Sequence, residues 1–312
     1  MRHPSQNAAS QDPDVAALGG ATTRSAGTRR LRIALGTWVA IEAVRAGRRG
    51  DTKSATATPA AAGASESAAA VARTSATELD ALNAAYAAIS DVDARMHPTR
   101  PGSDLALINS TAPGTPIEVH PDTWRLLQLA RRIYDLTDGV FDPCVPTRPG
   151  RFGDIEINPA TPVLTCHAPV QLDLGGIAKG HAIDRAVETL LEHGCTSGLV
   201  NAGGDVRVFG DRTETILLRQ RAPSSTDDVY RPMELNNAAL AVSDLDTAER
   251  PQEHQGYYNR TTSEPTTERR YAAVLAKNAT TADALTKCVL LCSEATSERA
   301  LREFAAQAIA VT

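Results

Sequence analysis

Two glycine-rich stretches of this 312-residue chain indicate its organisation: Leu172–Gly180, which reads LDLGGIAKG, and Asn201–Asp205, which reads NAGGD. The first follows Val170–Leu174, whose composition favours a strand, and it opens a helix that His193-Gly194 closes. Apolar residues at helical spacing predict the buried side of this helix: Ala182, Ile183, Ala186, Val187, Leu190 and Leu191. The second stretch predicts a tight turn between two strands, at about 198–201 and 206–209.

Outward from this centre, periodicity and stop signals predict further elements on both sides. They are a strand at about 31–44, helices at 78–96 and 122–136, strands at 214–219, 237–243 and 270–276, and helices at 281–293 and 296–309. Hairpins and helices alternate irregularly along the chain. The expected fold class is therefore α+β, with a mixed or antiparallel sheet and packed helices.

The chain ends and one internal segment differ in composition from the rest. Residues 1–30 are polar and hold few large apolar side chains, so we expect a disordered N-terminal tail followed by one domain over 31–312. Residues 51–78 contain 11 Ala, 4 Ser and 5 Thr without an apolar stripe, which predicts a flexible insertion. Neither a signal peptide nor a lipobox cysteine is visible, so the expected location is cytoplasmic.

Composition excludes several functional classes. The net charge of −5 and the 4% of aromatic residues argue against a nucleic-acid partner, and no apolar run is long enough for a membrane span. Five cysteines without a CxxC pattern make a disulfide scaffold or a zinc ribbon improbable. Cys288 and Cys292 share a helix face and are expected to be core residues.

The loop Gly175–Gly180 is the clearest candidate for binding chemistry. A glycine turn at the start of a helix can present backbone N–H groups to a phosphate, and Lys179 adds a positive charge. Neither the P-loop pattern nor the dinucleotide fingerprint is present. Close packing of the helix explains the same glycines, and a tight turn with Asp205 bonded to the backbone explains NAGGD, so both explanations stay open.

Asp283 has a similar ambiguity. It falls in the first turn of the helix expected at 281–293, where a carboxylate is favourable without any metal. It is equally suited to bind a cation.

Taken together and in order, these stretches resemble the FAD:protein FMN transferases, the ApbE-like family. The matching segments are GTW at 36–38, PGSDLALIN at 101–109, DGVFDP at 138–143, LDLGGIAKG with AIDRA at 172–186, NAGGDVR at 201–207 and ADALT at 282–286. The resemblance implies a T-fold-like domain with FAD as its substrate. It also implies metal-dependent transfer of FMN to a Thr or Ser hydroxyl of an acceptor flavoprotein, with release of AMP.

The resemblance also assigns site residues. Mg²⁺, which favours oxygen ligands, would be held by the main-chain carbonyl of Ala178, the carboxylate of Asp283 and the hydroxyl of Thr286. Asp283 and Lys179 would be the catalytic residues. The implied flavin-nucleotide contacts are Asn109, Asp142, Gly175, Gly176, Lys179, Asp184, Gly203, Gly204 and Asp205.

The chain departs from the family pattern at three places. Lys287 stands where the family has a metal-binding Thr; its ammonium could supply part of the cation's charge, or Thr286 at i+3 could supply the oxygen. No histidine precedes Glu264-Pro265 at the family position, since the nearest, His254, lies too far upstream, and Met96-His97 replaces a Met-Ser pair. Two alternatives to transfer therefore stay open: a flavin-binding protein without transfer, and a metal-dependent FAD pyrophosphatase.

Overall fold

A computed structural model describes residues 27–45, 63–146, 149–221, 228–245, 258–259, 264–265 and 271–311. The strands in chain order are β1 Thr28–Ala34, β2 Thr37–Arg45, β3 Pro116–Glu118, β4 Ile155–Ile157, β5 Val163–Cys166, β6 Cys195–Ala202, β7 Asp205–Phe209, β8 Thr213–Arg221, β9 Asp228–Asn236, β10 Ala239–Asp244, β11 Tyr258–Asn259, β12 Glu264–Pro265, β13 Tyr271–Ala276 and β14 Gln307–Val311. The helices are α1 Gly63–Arg95, α2 Asp104–Ser110, α3 Pro121–Leu136, α4 Ala178–Glu192, α5 Ala279–Leu291 and α6 Glu294–Glu303.

The centre of the fold is a seven-stranded antiparallel sheet in the order β1-β2-β6-β7-β10-β13-β14. Helices α1, α4 and α5 pack against one face and bury the larger apolar core there. The β8–β9 ribbon covers a second, smaller core on the other face, in which Val206, Leu218 and Tyr271 take part. A small sheet, β3-β5-β4, lies beside α3, and β11 and β12 pair with each other. The predicted α+β class with antiparallel sheets and packed helices is confirmed.

The amphipathic helices and the central hairpin lie close to their predicted positions. In α4 five of the six predicted apolar residues are buried, whereas Leu191 is 48% exposed. Gly139 and Gly194 follow α3 and α4 with φ of 78°, as helix stops require. Among the described residues no helix combines the length and the apolarity needed to cross a membrane.

The N-terminal predictions need two corrections. The strand expected at 31–44 is a hairpin, because Leu35 and Gly36 have φ of 55° and 70° and reverse the chain. Residues 28–30 belong to β1 and not to a disordered tail; residues 1–26 lie outside the described residues.

The predicted insertion at 51–78 is wrong over its second half. Helix α1 begins at Gly63, and residues 51–62 lie outside the described residues. Its C-terminal part is docked through fully buried Leu82 and Ile89. A docked helix is already nucleated, and the alanine-rich residues before it extend it readily because alanine has the highest helix propensity.

Two other predicted elements are replaced. Val170–Leu174 forms only one β-bridge, between Leu172 and Cys144. The backbone N–H and C=O of Leu172 form hydrogen bonds with the side-chain amide of Asn109 and are not available to a neighbouring strand. The helix expected at 296–309 ends at Glu303, since Ala305 turns the chain with φ of 49° and β14 then pairs with β13 as an edge strand of the central sheet.

All five cysteine thiols are buried. Burial raises the pKa of the Cys166 and Cys195 thiols. A hydrogen bond with Cys292, together with burial, raises the pKa of Cys288. The expected core role of Cys288 and Cys292 is confirmed.

Candidate functional site

The two glycine-rich stretches are joined by an ion pair. Lys179, in the first turn of α4, places its Nζ 2.8 Å from Oδ2 of Asp205, the first residue of β7. The other carboxylate oxygen of Asp205 accepts the Val242 N–H of β10 at 2.9 Å. Burial raises the pKa of Asp205, the nearby Asp283 raises it further, and the charges of Lys179 and Lys287 oppose the shift.

A second Lys–Asp pair lies beside the first, within α5. Lys287 Nζ contacts Oδ1 of Asp283 and donates to the Asp283 main-chain oxygen at 3.0 Å. Oδ2 of Asp283 accepts the N–H of Gly180 at 2.9 Å, which ties α5 to α4. We refer to Lys179, Asp205, Asp283 and Lys287 as the Lys–Asp cluster; its formal charges cancel.

Gly180 is explained by close packing. A Cβ at this position would overlap the Ala279 carbonyl oxygen and lie 2.8 Å from the Asp283 Cβ. Only glycine therefore allows α4 and α5 to approach closely enough for the Gly180–Asp283 hydrogen bond. The packing explanation of the loop holds at this residue.

The rest of the loop also uses its N–H groups internally. Gly175 donates to Oδ1 of Asp173 at 2.8 Å, while Ile177 and Ala178 donate to the Leu174 carbonyl oxygen. Gly176 packs over the Lys287 stem, since an added Cβ would lie 3.6 Å from the Lys287 Cε. The amides of Gly175, Ile177 and Ala178 thus hold the turn together and that of Gly180 binds Asp283, which differs from the predicted phosphate cradle.

Asp283 does not sit at a helix end. Helix α5 begins at Ala279, and the Asn278 side chain caps it by accepting from Thr281 N at 2.8 Å. Asp283 therefore lies beyond the first turn, where the helix dipole has little effect on a carboxylate. Its position is explained by Gly180 and Lys287, and the helix-end interpretation is wrong.

Asp184 takes the helix-end role instead. Its carboxylate accepts the N–H groups of Ala279 and Thr280 at 2.9 and 2.8 Å and pairs with Arg207 at 2.6 Å. Asp184 lines a separate cavity of about 390 Å³, on whose wall Lys277 also lies. Asp184 is an anionic cap on α5, because the helix N-terminus offers unpaired N–H donors, and its flavin contact stays a prediction.

Asn109 and Asp142 likewise brace the backbone. Oδ1 of Asn109 accepts the Leu172 N–H at 2.7 Å, and Nδ2 of Asn109 donates to the Leu172 carbonyl oxygen at 3.0 Å. Oδ1 of Asp142 accepts the N–H groups of Cys144 and Phe152, at 2.9 and 3.2 Å. Both side chains order the segments that lead into the glycine loop, and neither lines the cleft described next.

The cleft lies between the β6–β7 turn and the β8–β9 ribbon, with a volume of about 510 Å³. Gly203 and Gly204 form the turn with φ of 60° and 97°, as predicted for this stretch, and Gly204 has nothing within 4 Å of an added Cβ. Lys179 lies on the same wall as this turn, and exposed Leu217 and Tyr230 lie on the ribbon. The volume is typical of a small-molecule site.

The side-chain oxygens of Asp283 and Thr286, which the resemblance assigns to Mg²⁺, do not fit a bound divalent ion. Both Asp283 carboxylate oxygens are engaged, one of them by an ammonium group. The Thr286 hydroxyl donates to the Asp283 carbonyl oxygen at 2.7 Å and lies 2.7 Å from Ser243 Oγ. Within the described part of the chain no three His, Cys, Asp or Glu side chains come together as metal ligands.

The sequence predicted only β8 of the ribbon wall of the cleft and did not indicate the Ser243 contact of Thr286. Strand β9 was missed because Pro232 interrupts its alternating pattern. The hydrogen bond of Ser243 joins residues 43 positions apart and has no local signal. His254 lies outside the described residues, and Glu264-Pro265 forms the short strand β12.

The overall fold of this chain matches that of solved flavinyl transferases. The apo structure of the flavinyl transferase ApbE from Pseudomonas stutzeri matches with a TM-score of 0.70 at 16% identity, over 92% of this chain and 94% of that one. The chain belongs to the ApbE family, whose family model matches residues 63–311.

Curated relatives match over shorter regions. An FAD:protein FMN transferase from Rhodobacter capsulatus is 30% identical over 159 residues, which is 42% of this chain and 30% of the relative. One from Haemophilus influenzae is 26% identical over 192 residues, 50% of this chain and 55% of the relative. The matched regions thus span about a third to half of these relatives.

Proposed function

We propose that this protein binds FAD in the cleft and transfers its FMN part to a Thr or Ser hydroxyl of an acceptor flavoprotein, with release of AMP. The observation that carries the proposal is that Lys179 and the Gly203-Gly204 turn share one wall of the cleft. Family membership and the printed activity of the curated relatives support it.

The reaction makes and breaks one bond at phosphorus. The acceptor hydroxyl oxygen bonds to the phosphorus of the FMN half, the bond from that phosphorus to the bridging oxygen breaks, and AMP leaves with the electron pair while the hydroxyl loses its proton. Negative charge must be offset at the pyrophosphate during this exchange. Lys179 is suited to this role, since its side chain is 30% exposed beside the cleft and its position is fixed by Asp205.

Gly203, Gly204 and Lys179 form the proposed FAD-binding wall, and buried Asp205 lies behind it and holds Lys179. Gly204 leaves the backbone open to a ligand, because no atom lies within 4 Å of an added Cβ. Asn109, Asp142 and Asp184 act at a distance by holding backbone segments in place. A cytoplasmic location stays a prediction from the sequence.

The test is incubation with FAD and a candidate acceptor flavoprotein, read by intact mass for the acceptor and by chromatography for AMP. A covalent FMN on the acceptor with an equal amount of AMP supports transfer. Free FMN with AMP and an unlabelled acceptor identifies a pyrophosphatase, and bound FAD without AMP identifies a binding protein. Lys179→Ala should reduce AMP formation, whereas Lys277→Ala, on the wall of the other cavity, should leave it unchanged.

A further inference from the structure

Lys287 is the feature of the Lys–Asp cluster that the proposed function leaves unexplained. Its side chain is only 7% exposed, although a lysine ammonium is strongly hydrated in water. The ammonium lies against Oδ1 of Asp283 and donates to the main-chain oxygen of the same residue. A cation held by a carboxylate oxygen and a carbonyl oxygen is the arrangement typical of a metal ion bound through oxygens.

The side-chain oxygens of Asp283 and Thr286 beside the ammonium are already engaged. Oδ2 of Asp283 is bound by Gly180 N–H, and the Thr286 hydroxyl is bound to the carbonyl oxygen of Asp283 and to Ser243. The stem of Lys287 runs beneath Gly176, which closes the site from the loop side. A divalent ion on Asp283 would lie next to the ammonium and be repelled by it.

The charges of the cluster lead to the same conclusion. Lys179 and Lys287 balance Asp205 and Asp283, and both carboxylates are about 1% exposed. A buried group of charges is stable when it is neutral, because any excess charge has to be stabilised without water. An added divalent ion would leave two positive charges uncompensated.

We propose that the Lys287 ammonium is a built-in replacement for the divalent cation at Asp283, so that this protein handles FAD without a metal ion at that carboxylate. The role towards FAD rests on the proposed function, whereas the exclusion of the metal does not. Lys287 is then a positioning residue: it fixes Asp283, and Asp283 holds the start of α4, from which Lys179 reaches the cleft.

The experiment is a titration of the purified protein with Mn²⁺, followed by electron paramagnetic resonance of the unbound ion. The wild type is expected to show no saturable binding up to millimolar Mn²⁺. Lys287→Thr is expected to gain one saturable site, with a Kd at least tenfold below the highest Mn²⁺ concentration used, because it frees Oδ1 of Asp283 and adds a hydroxyl. Lys287→Thr combined with Asp283→Asn should lose that site, and Lys277→Thr, the same change at an exposed lysine, should behave as the wild type.

Thermal unfolding of the same variants provides a second readout. Lys287→Thr should melt at a lower temperature than the wild type without metal, and Mn²⁺ or Mg²⁺ should raise its Tm because an ion that binds only the folded state stabilises it. The wild-type Tm should not respond. If Lys287→Thr does not fold, Lys287→Gln, which is neutral and of similar length, takes its place.

Two results would overturn the proposal. One is saturable Mn²⁺ binding by the wild type that Asp283→Asn removes. The other is a folded Lys287→Thr or Lys287→Gln protein that gains no metal binding.

AMP release by the wild type in the presence of a chelator separates the role of Lys287 from the proposed function. Activity that persists supports the replacement of the metal ion by Lys287, and activity that stops and returns with Mg²⁺ contradicts it. If no AMP forms under any condition, the proposed function fails, and the Mn²⁺ titration still decides the role of Lys287.

Discussion

The two Lys–Asp pairs of the cluster are chemically alike and differ in their access to water. In both, the carboxylate is about 1% exposed; the Lys179 side chain is 30% exposed on the cleft wall, and that of Lys287 is 7% exposed beneath the glycine loop. The Lys179–Asp205 pair, called the open pair below, can contact a ligand. The Lys287–Asp283 pair, called the sealed pair, can act only on its neighbours. The same two residue types can therefore bind a ligand or stabilise the fold, depending on where the helices place them.

The largest effect is expected from breaking the sealed pair. Asp283→Ala leaves the Lys287 ammonium buried without its carboxylate and should lower the free energy of unfolding by about 3–5 kcal/mol. Asp205→Ala is the matched change in the open pair and should cost about 1–3 kcal/mol, because Lys179 regains water while the Val242 N–H loses its acceptor. Urea denaturation of both variants measures the difference. Equal losses would contradict the distinction between the two pairs.

The next effect concerns the close approach of α4 and α5 that seals Lys287. Gly180→Ala places a methyl group against the Ala279 carbonyl oxygen and should cost about 1–3 kcal/mol through overpacking. Gly176→Ala is the control in the same loop, since its Cβ would make an ordinary contact at 3.6 Å. That control should change stability by no more than about 0.5 kcal/mol. A tolerated Gly180→Ala would mean that the two helices can move apart freely.

A smaller effect is expected in FAD binding at the open pair. Lys179→Ala removes a partly exposed charge and should weaken FAD binding by roughly 1 kcal/mol, about fivefold in Kd, at low salt. The loss should shrink as salt is raised, because ions screen the interaction. Fluorescence titration of flavin at two salt concentrations measures it. A Kd that is unchanged at low salt would remove Lys179 from the proposed FAD-binding wall.

The smallest effect is a dependence of stability on pH from Asp205. Burial, reinforced by Asp283, raises its pKa above the ordinary value of 3.8 in the folded state. Between the two pKa values the folded protein holds more protons than the unfolded chain, so this group's contribution to stability falls as pH rises through that window and is largest below it. Urea unfolding from pH 4 upward should show this slope in the difference in stability between the wild type and Asp205→Asn, in which the contributions of the other groups cancel. A slope of the opposite sign would indicate that Lys179 outweighs burial.

Much of the fold could be predicted because its signals are local. The apolar side of α4 and the β6–β7 turn at Gly203-Gly204 are set by residues within a few positions of one another. The extended segment around Leu172 could not be distinguished from a strand. Its hydrogen-bond partner Asn109 lies 63 positions away and gives no signal in a single sequence.

The site was predicted unevenly for the same reason. Lys179, Asp205 and Asp283, which the family resemblance assigned to one site, lie in one cluster, and Lys287 stood out because it replaces the Thr of the family pattern. The role of Asp184 could not be inferred, because the helix end that it caps lies 95 positions further along the chain. Sequence patterns do not reveal the role of a side chain that hydrogen-bonds to backbone groups far along the chain.

The burial of all five cysteines has a practical consequence for labelling chemistry. Maleimide dyes react with exposed thiolates, and burial together with raised pKa values at Cys166, Cys195 and Cys288 should make the folded protein a slow target. A single cysteine placed at exposed Leu217 or Tyr230 would then carry a dye at one position on the ribbon wall of the cleft. The native cysteines would not have to be removed, and quenching of that dye by a flavin would report occupancy of the cleft directly.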